Sequence, residues 1–183
     1  MIAVIDANVL YKASLRDLLM YLMASDAFQG KWSVKIHMEW TSNLIANGRD
    51  ESKVLRTRKL MDEYFPDAIV SHYQHLIKKQ SLPEIADRHV LAAAIKAKAD
   101  FIITENLKHF PKKHLPENLR AVSPDEFLVL LSRVKPHQVL SGVKAHRGSL
   151  KNPPFSILDY VQARKDQGLK EFATFLMAHR SSI

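Results

Sequence analysis

The sequence predicts an α/β fold: a parallel sheet flanked by helices on both faces, followed by a small C-terminal helical extension. Three observations predict it. Short runs suited to buried strands recur at Ile2 to Ile5, Phe101 to Thr104 and Arg120 to Val122, as in sheets covered on both sides. Longer segments with apolar residues at helical spacing lie between them. The resulting order of strand, helices, strand, helix, strand, helix is that of parallel crossovers.

Each element has its own signal. Ile2 to Ile5 is apolar and β-branched, and Asp6-Ala7-Asn8 ends it. Ser14 is placed as a helix cap with Asp17 three residues on, ahead of a stripe formed by Leu15, Leu18, Leu19, Leu22 and Met23. Ser33 is placed as the cap of a second helix carrying Ile36, Glu39, Trp40 and Leu44, with Asn47-Gly48 as its stop. A third helix is predicted from Glu51 to Tyr64, ending before Pro66. Ala68 to Val70 reads as a short strand and Tyr73 to Lys79 as a short helix. Helix resumes from Ile85 through the alanine-rich stretch at Leu91 to Ala94, leading into the strand at Phe101. Ser123-Pro124-Asp125-Glu126 is a helix start with cap, proline and acid in their favoured places. Beyond Arg133 strand signals stop, and Pro136, the stretch from Gly148 to Pro154, and Gly168 divide the tail into helical pieces. Ser156 with Asp159 looks like a further capped start. The expected division is residues 1–131 for the sheet domain and 132–183 for the extension.

Composition narrows the function classes. A chain of 183 residues that is 46% hydrophobic is long enough for one such domain with a core. The formal net charge is +8 and the sequence pI about 9.7, so polyanions, nucleic acid above all, are favoured partners. With no cysteine, disulfides, thiolate zinc sites and thiol catalysis are excluded. No apolar run approaches the roughly 18 residues of a membrane span, and the residues after Met1 have no signal-peptide pattern. The reading is a cytoplasmic protein with no membrane partner.

The chemistry lies in scattered acids. Ligands of parallel α/β sheets bind at the carboxyl ends of strands, near a topological switch. Asp6 follows the first strand, and Thr104, Glu105 and Asn106 end the strand from Phe101, so two segments bring polar groups to one edge. Asp87 opens the helix leading into that strand, and Glu39 sits on an otherwise apolar helix face. Clustered carboxylates repel one another until a cation neutralises them, and all-oxygen ligands suit Mg²⁺ or Mn²⁺. Such an ion generates hydroxide from water and stabilises phosphoryl charge. Each acid also has a plain reading. Asp6 caps the next segment, Glu39 points outward on a solvated edge, and Asp87 is a helix N-cap.

At these residues the sequence resembles PIN domains. Val4-Ile5-Asp6-Ala7-Asn8-Val9-Leu10 is similar to the family's opening, and Glu39 falls where the family has its Glu. The stretch from Asp87 to Ala94 resembles its third acidic motif, and Ile102 to Pro111 its fourth. The likeness covers roughly residues 1 to 131 and is nearest to toxins of VapBC toxin–antitoxin pairs. Asn152-Pro153-Pro154-Phe155-Ser156 followed by Gly168 to Phe172 resembles a helical extension found on one subgroup. The resemblance implies a PIN-like fold, Mg²⁺- or Mn²⁺-dependent endoribonuclease activity, an RNA substrate, a homodimer and a cognate antitoxin. The fourth motif departs from the pattern. Asn106 stands where many relatives have Asp, His109 where relatives with that Asn have Asp, and Ala86 where a further acid is common.

The mechanism implied assigns Asp6, Glu39 and Asp87 to the metal and counts Asn106 with them as catalytic, supported by Asn8, Thr104 and Glu105. Water attacks, leaving 5′-phosphate and 3′-hydroxyl ends. Lys53, Arg56, Arg58, Lys59, Lys108, Lys112 and Lys113 are candidate RNA contacts, each also readable as a solvated surface charge. The alternative is a silent PIN fold acting as an RNA-binding or protein-interaction module. A DNA or flap nuclease is disfavoured because the chain lacks long helical insertions.

Overall fold

Four strands and ten α-helices follow one another in the computed structural model, which describes residues 1–183 apart from Asn152. The part of the Asn152 to Ser156 resemblance that falls on Asn152 therefore lies outside the described residues. Strand β1 (Ile2–Ile5) is the expected apolar run. Asp6 ends it and caps α1 (Ala7–Tyr11). Helix α2 (Ala13–Ala24) already starts at Ala13, so Ser14 lies inside it and not at its cap. Its predicted stripe from Leu15 to Met23 is buried.

Strand β2 (Gln29–Lys31) has no sequence signal, being three residues long with glycine at its centre. It exists by pairing, in the parallel register Ile2 with Gln29, Ala3 with Gly30 and Val4 with Lys31. Helix α3 (Val34–Ala46) is capped by Ser33, whose hydroxyl accepts from the Ile36 N–H at 3.2 Å. Gly48, at φ +79°, takes the left-handed conformation that follows the helix end. Helix α4 (Glu51–Tyr64) is capped by Asp50.

The strand expected at Ala68 to Val70 is only an isolated parallel bridge between Trp32 and Ile69. Pro66–Ala68 forms a 3-10 turn, which leaves room for two bonds: Trp32 N–H to the Ala68 carbonyl at 3.0 Å, and Val70 N–H to the Trp32 carbonyl at 2.8 Å. Helix α5 (Gln74–Ile77) is short. Helix α6 (Arg88–Lys96) follows a 3-10 turn at Ile85–Asp87, and strands β3 (Phe101–Ile103) and β4 (Arg120–Val122) complete the sheet. The tail forms α7 (Pro124–Val134), α8 (Pro136–Ser149), α9 (Ile157–Asp166) and α10 (Lys170–Ala178).

The sheet is parallel throughout, in the order β2-β1-β3-β4. From β1 the chain runs to β2 on one side and later returns to β3 on the other. The topological switch therefore lies between β1 and β3, where a crevice opens at their carboxyl ends.

The chain divides into two compact units. The first comprises Met1–Arg16 and Gln29–Val122, and the second Asp17–Phe28 and Ser123–Ile183. In the first, α6 packs on β1 and β3, and Val4, Ile5, Val90, Leu91, Ile102 and Ile103 are fully buried. A hydrogen-bonded chain joins α3 to α4: Trp32 Nε1 and His37 Nε2 both donate to Asp62 Oδ1, at 3.1 and 2.9 Å, and Trp40 Nε1 donates to His37 Nδ1 at 2.8 Å. Burial pushes the His37 imidazole below its ordinary pKa, which keeps it the neutral link this chain requires.

In the second unit, α10 packs on α7 and α9. Phe172 and Leu176 are fully buried, and the Asp125 carboxylate caps α10 by accepting from the Glu171 and Phe172 N–H groups at 3.0 and 2.9 Å. A boundary after Leu131 would cut through α7. The second compact unit takes in α7, which packs on α8 and α10. His146 Nδ1 and the Tyr160 hydroxyl lie 2.7 Å apart in this unit, and the Arg164 guanidinium stands 4.8 Å from the Tyr160 ring centre. Among the described residues, no helix is long and apolar enough to cross a membrane.

Candidate active site

The crevice between β1 and β3 holds Asp6. Its backbone N–H donates to the Ile103 carbonyl at 3.0 Å, so the sheet ladder itself fixes the residue. The carboxylate is buried and fully engaged. The Thr104 hydroxyl and the Asn8 amide each donate to Oδ2 at 2.7 Å, and the Ala7 N–H donates to Oδ1 at 2.7 Å. The Ala7 bond is the expected cap, and the other two tie Asp6 to Asn8 and Thr104. Burial lifts its carboxyl above the ordinary carboxylate range. The Thr104 hydrogen bond opposes this, and the nearby charges of Asp87 and Glu39 push it further up. Those two acids thus act on Asp6 through space.

The supporting residues form one lattice. The Asn8 amide also donates to Thr104 Oγ1 at 3.1 Å, and Asn8 Oδ1 accepts from the Glu105 N–H at 3.1 Å. The Asn106 N–H donates to Thr104 Oγ1 at 3.1 Å, so Asn106 stands beside the crevice through its backbone. The Glu105 side chain turns away to Lys12, 2.9 Å from its Nζ.

A histidine lies against each of Glu39 and Asp87, and only the His109–Asp87 contact is a hydrogen bond. His89 Nε2 lies 2.8 Å from Glu39 Oε1, and His109 Nδ1 lies 2.7 Å from Asp87 Oδ2. The capping reading of Asp87 fails, since its side chain makes no cap hydrogen bond to α6. Glu39 is partly exposed on α3 while its neighbour Trp40 is fully buried. Among the described residues, no three His, Asp or Glu side chains form a ready-made metal-binding group. The donor chemistry nonetheless fits a hard cation. The charges of Asp87 and Glu39 both reach Asp6, and repulsion among carboxylates is the kind a divalent ion relieves. His89 was missed from sequence because it lies on the buried face of α6, whereas His109 was singled out only as standing where relatives have Asp.

The basic candidates separate by partner. Lys53 and Arg56 are exposed on α4, whereas Arg58 Nε lies 3.9 Å from Asp62 and Lys59 Nζ 3.5 Å from Glu63. Lys108, Lys112 and Lys113 are exposed on the 3-10 turns after β3.

Comparison with known proteins agrees with this layout. The family model described as PIN domain matches residues 3–108, which span every acid of the crevice. The chain belongs to the PIN domain family. A second model, described as VapC50 C-terminal domain, matches residues 124–178 of this PIN-domain chain. A relative from Mycobacterium tuberculosis (strain ATCC 25618 / H37Rv), named "Putative ribonuclease VapC50", is 54% identical over 44 residues. That match covers 24% of this chain and 26% of the relative, so the chain matches about a quarter of the relative's length. No solved structure matches the chain.

Proposed function

We propose that this PIN-domain chain is a divalent-metal-dependent endoribonuclease, the toxin of a type II toxin–antitoxin pair. The observation that carries the proposal is Asp6: a buried carboxylate at the β1/β3 switch whose pKa is raised in part by Asp87 and Glu39. The basic sequence, at +8, supports a polyanionic substrate. The name of the relative supports RNA as that substrate. A cognate antitoxin, a homodimer and a cytoplasmic location belong to the same reading.

Asp6, Glu39 and Asp87 would hold Mg²⁺ or Mn²⁺. When bound, that ion supplies Lewis-acid stabilisation of phosphoryl charge and lowers the pKa of water. The chain's own groups do the positioning. Thr104 and Asn8 fix one oxygen of Asp6, leaving its carboxylate a single orientation. His109 engages Asp87 by a hydrogen bond, and His89 lies beside Glu39. Asn106 adds a neutral amide beside the crevice, and water attacks in line to leave 5′-phosphate and 3′-hydroxyl ends. Asn106 and His109, standing where relatives have acids, favour a second reading, a silent PIN fold acting as an RNA-binding or protein-interaction module.

Incubating the chain with single-stranded RNA or DNA, in Mg²⁺, Mn²⁺ or EDTA, separates the readings. The nuclease reading expects metal-dependent RNA cleavage that Asp6→Asn, Glu39→Gln and Asp87→Asn each nearly abolish. RNA bound but uncut in every metal would establish the silent module.

A further inference from the structure

A cleft of about 590 Å³ lies beside the acid crevice, between α1, α3 and the start of α4. Its size falls within the roughly 300–1,000 Å³ of small-ligand sites. Trp40, Leu44 and Val54 give it an apolar floor, and Tyr11 adds an aromatic side chain. Lys12, Arg49 and Lys53 stand on its rim, all exposed. The buried Arg16 adds a fourth cation, its guanidinium 4.8 Å from the Trp40 ring centre and donating to the Leu10 carbonyl at 2.7 Å.

The one acid lining the cleft is already committed. Asp50 accepts from Ser52 Oγ at 2.6 Å and from the Lys53 N–H at 3.0 Å as the cap of α4. These bonds hold its carboxyl below the ordinary range, so it stays ionised and bound to the helix. Lys12 pairs with Glu105, but both are substantially exposed, and such a surface pair is readily exchanged for a phosphate. An apolar, aromatic floor under a cationic rim matches a nucleotide, with a base to stack and a phosphate to pair.

Continuity with the crevice sets which nucleotide. Asp6 caps α1 and Tyr11 ends it, and a helix of five residues is only about 7.5 Å long. Glu39 faces the crevice region from α3 while the adjacent Trp40 floors the cleft. Lys12 reaches Asp6 through Glu105 and Asn8. A strand with a phosphate against Asp6 therefore meets the cleft with a neighbouring nucleotide.

We infer that this cleft is a nucleotide subsite of the RNA strand: it holds a base next to the scissile bond against Tyr11, Leu44 and Val54, and that nucleotide's phosphate between Lys12, Arg49 and Lys53. The inference rests on RNA as the ligand and adds the place where the strand is gripped.

The test is fluorescence anisotropy of a labelled eight-nucleotide single-stranded RNA with the full chain in EDTA, where metal-dependent cleavage does not interfere. Arg49→Glu with Lys53→Glu should weaken binding at least tenfold and lower the salt slope by about 0.7, for the loss of one single-strand phosphate contact. Lys144→Glu with Lys165→Glu, the same charge change at exposed positions of the second unit, should weaken it far less. Tyr11→Leu should weaken binding roughly tenfold with the salt slope unchanged, because stacking is not ionic. Matching melting curves certify that the variants fold.

Equal losses in the two double variants, no loss in either, or no binding by the wild type would overturn the subsite. So would a polyglutamate peptide that binds the wild type more tightly than RNA and loses affinity in Arg49→Glu/Lys53→Glu, which would make the cleft a protein-docking surface. Cleft-dependent binding of RNA that no metal allows the chain to cut would leave the subsite standing and remove the nuclease reading alone.

Discussion

Acidification from pH 7 to 4.5 should destabilise this protein through His146. The imidazole is buried in the second unit, and burial together with the Arg164 charge lowers its pKa from 6.5 to about 4. Its Nδ1 faces the Tyr160 hydroxyl at 2.7 Å, and the Tyr21 ring centre is 5.3 Å from its own. Between pH 6.5 and 4 the unfolded chain binds a proton at this site that the native chain refuses, so stability rises with pH across that window. The contribution is fully present above pH 6.5 and lost progressively on going down to about 4. The limiting loss is about 3 kcal/mol, at about 1.36 kcal/mol per pKa unit, and most of it is gone by pH 4.5. For a chain of this length that is roughly 5–10 °C in melting temperature. His146→Gln keeps a polar group for Tyr160 but cannot take up the proton. Urea unfolding of both proteins from pH 4.5 to 7.5 should show the wild type losing about 2–3 kcal/mol more than the variant. Parallel pH profiles would refute the reasoning, because His146 would then titrate alike in the folded and unfolded chains.

Other outcomes follow from the same geometry. Mn²⁺ at a hundredfold excess over its Kd should stabilise the wild type by about 2.7 kcal/mol in thermal melts, and Asp6→Asn should lose most of that gain. Asn106→Asp should tighten Mn²⁺ binding by isothermal titration, since it adds charge beside Thr104; equal or weaker binding would take position 106 out of the metal's surroundings. Gly142→Ala should destabilise the second unit by about 1–3 kcal/mol in urea unfolding. A Cβ there would lie 2.7 Å from Ser25 Oγ and 3.0 Å from the Tyr21 carbonyl oxygen, a contact whose backbone half cannot easily yield.

The sequence carried the parts of the fold that rest on local chemistry. Ile2–Ile5, Phe101–Ile103, the Ser33 and Ser156 caps and the helix from Glu51 to Tyr64 were legible because pattern and capping are written in adjacent residues. Strand β2 was not, because Gln29-Gly30-Lys31 becomes a strand only through its register with β1. Ala68 to Val70 misled in the opposite sense, its apolar residues making one bridge and no ladder. In the crevice, Asp6 and Thr104 could be placed together because each follows a recognisable strand. The histidines beside Glu39 and Asp87 could not, since those contacts join segments far apart in the chain. The cleft was hidden for a similar reason: Lys12, Arg49 and Lys53 belong to separate stretches that only the packing of α1, α3 and α4 brings to one rim.

Asp6 differs from the other two acids in what would follow from losing it. It ends β1, caps α1 and takes three hydrogen bonds, including those that tie it to Asn8 and Thr104. Glu39 and Asp87 each touch one histidine and make no cap. Replacing Asp6 therefore strips a helix start as well as a charge, while replacing either of the others chiefly removes charge. A lineage released from selection for the crevice's chemistry should shed Glu39 or Asp87 first and retain Asp6 for folding alone. An aspartate surviving at this position in a divergent relative would then attest to architecture, and only the fate of its two companions would report on whether the chemistry endures.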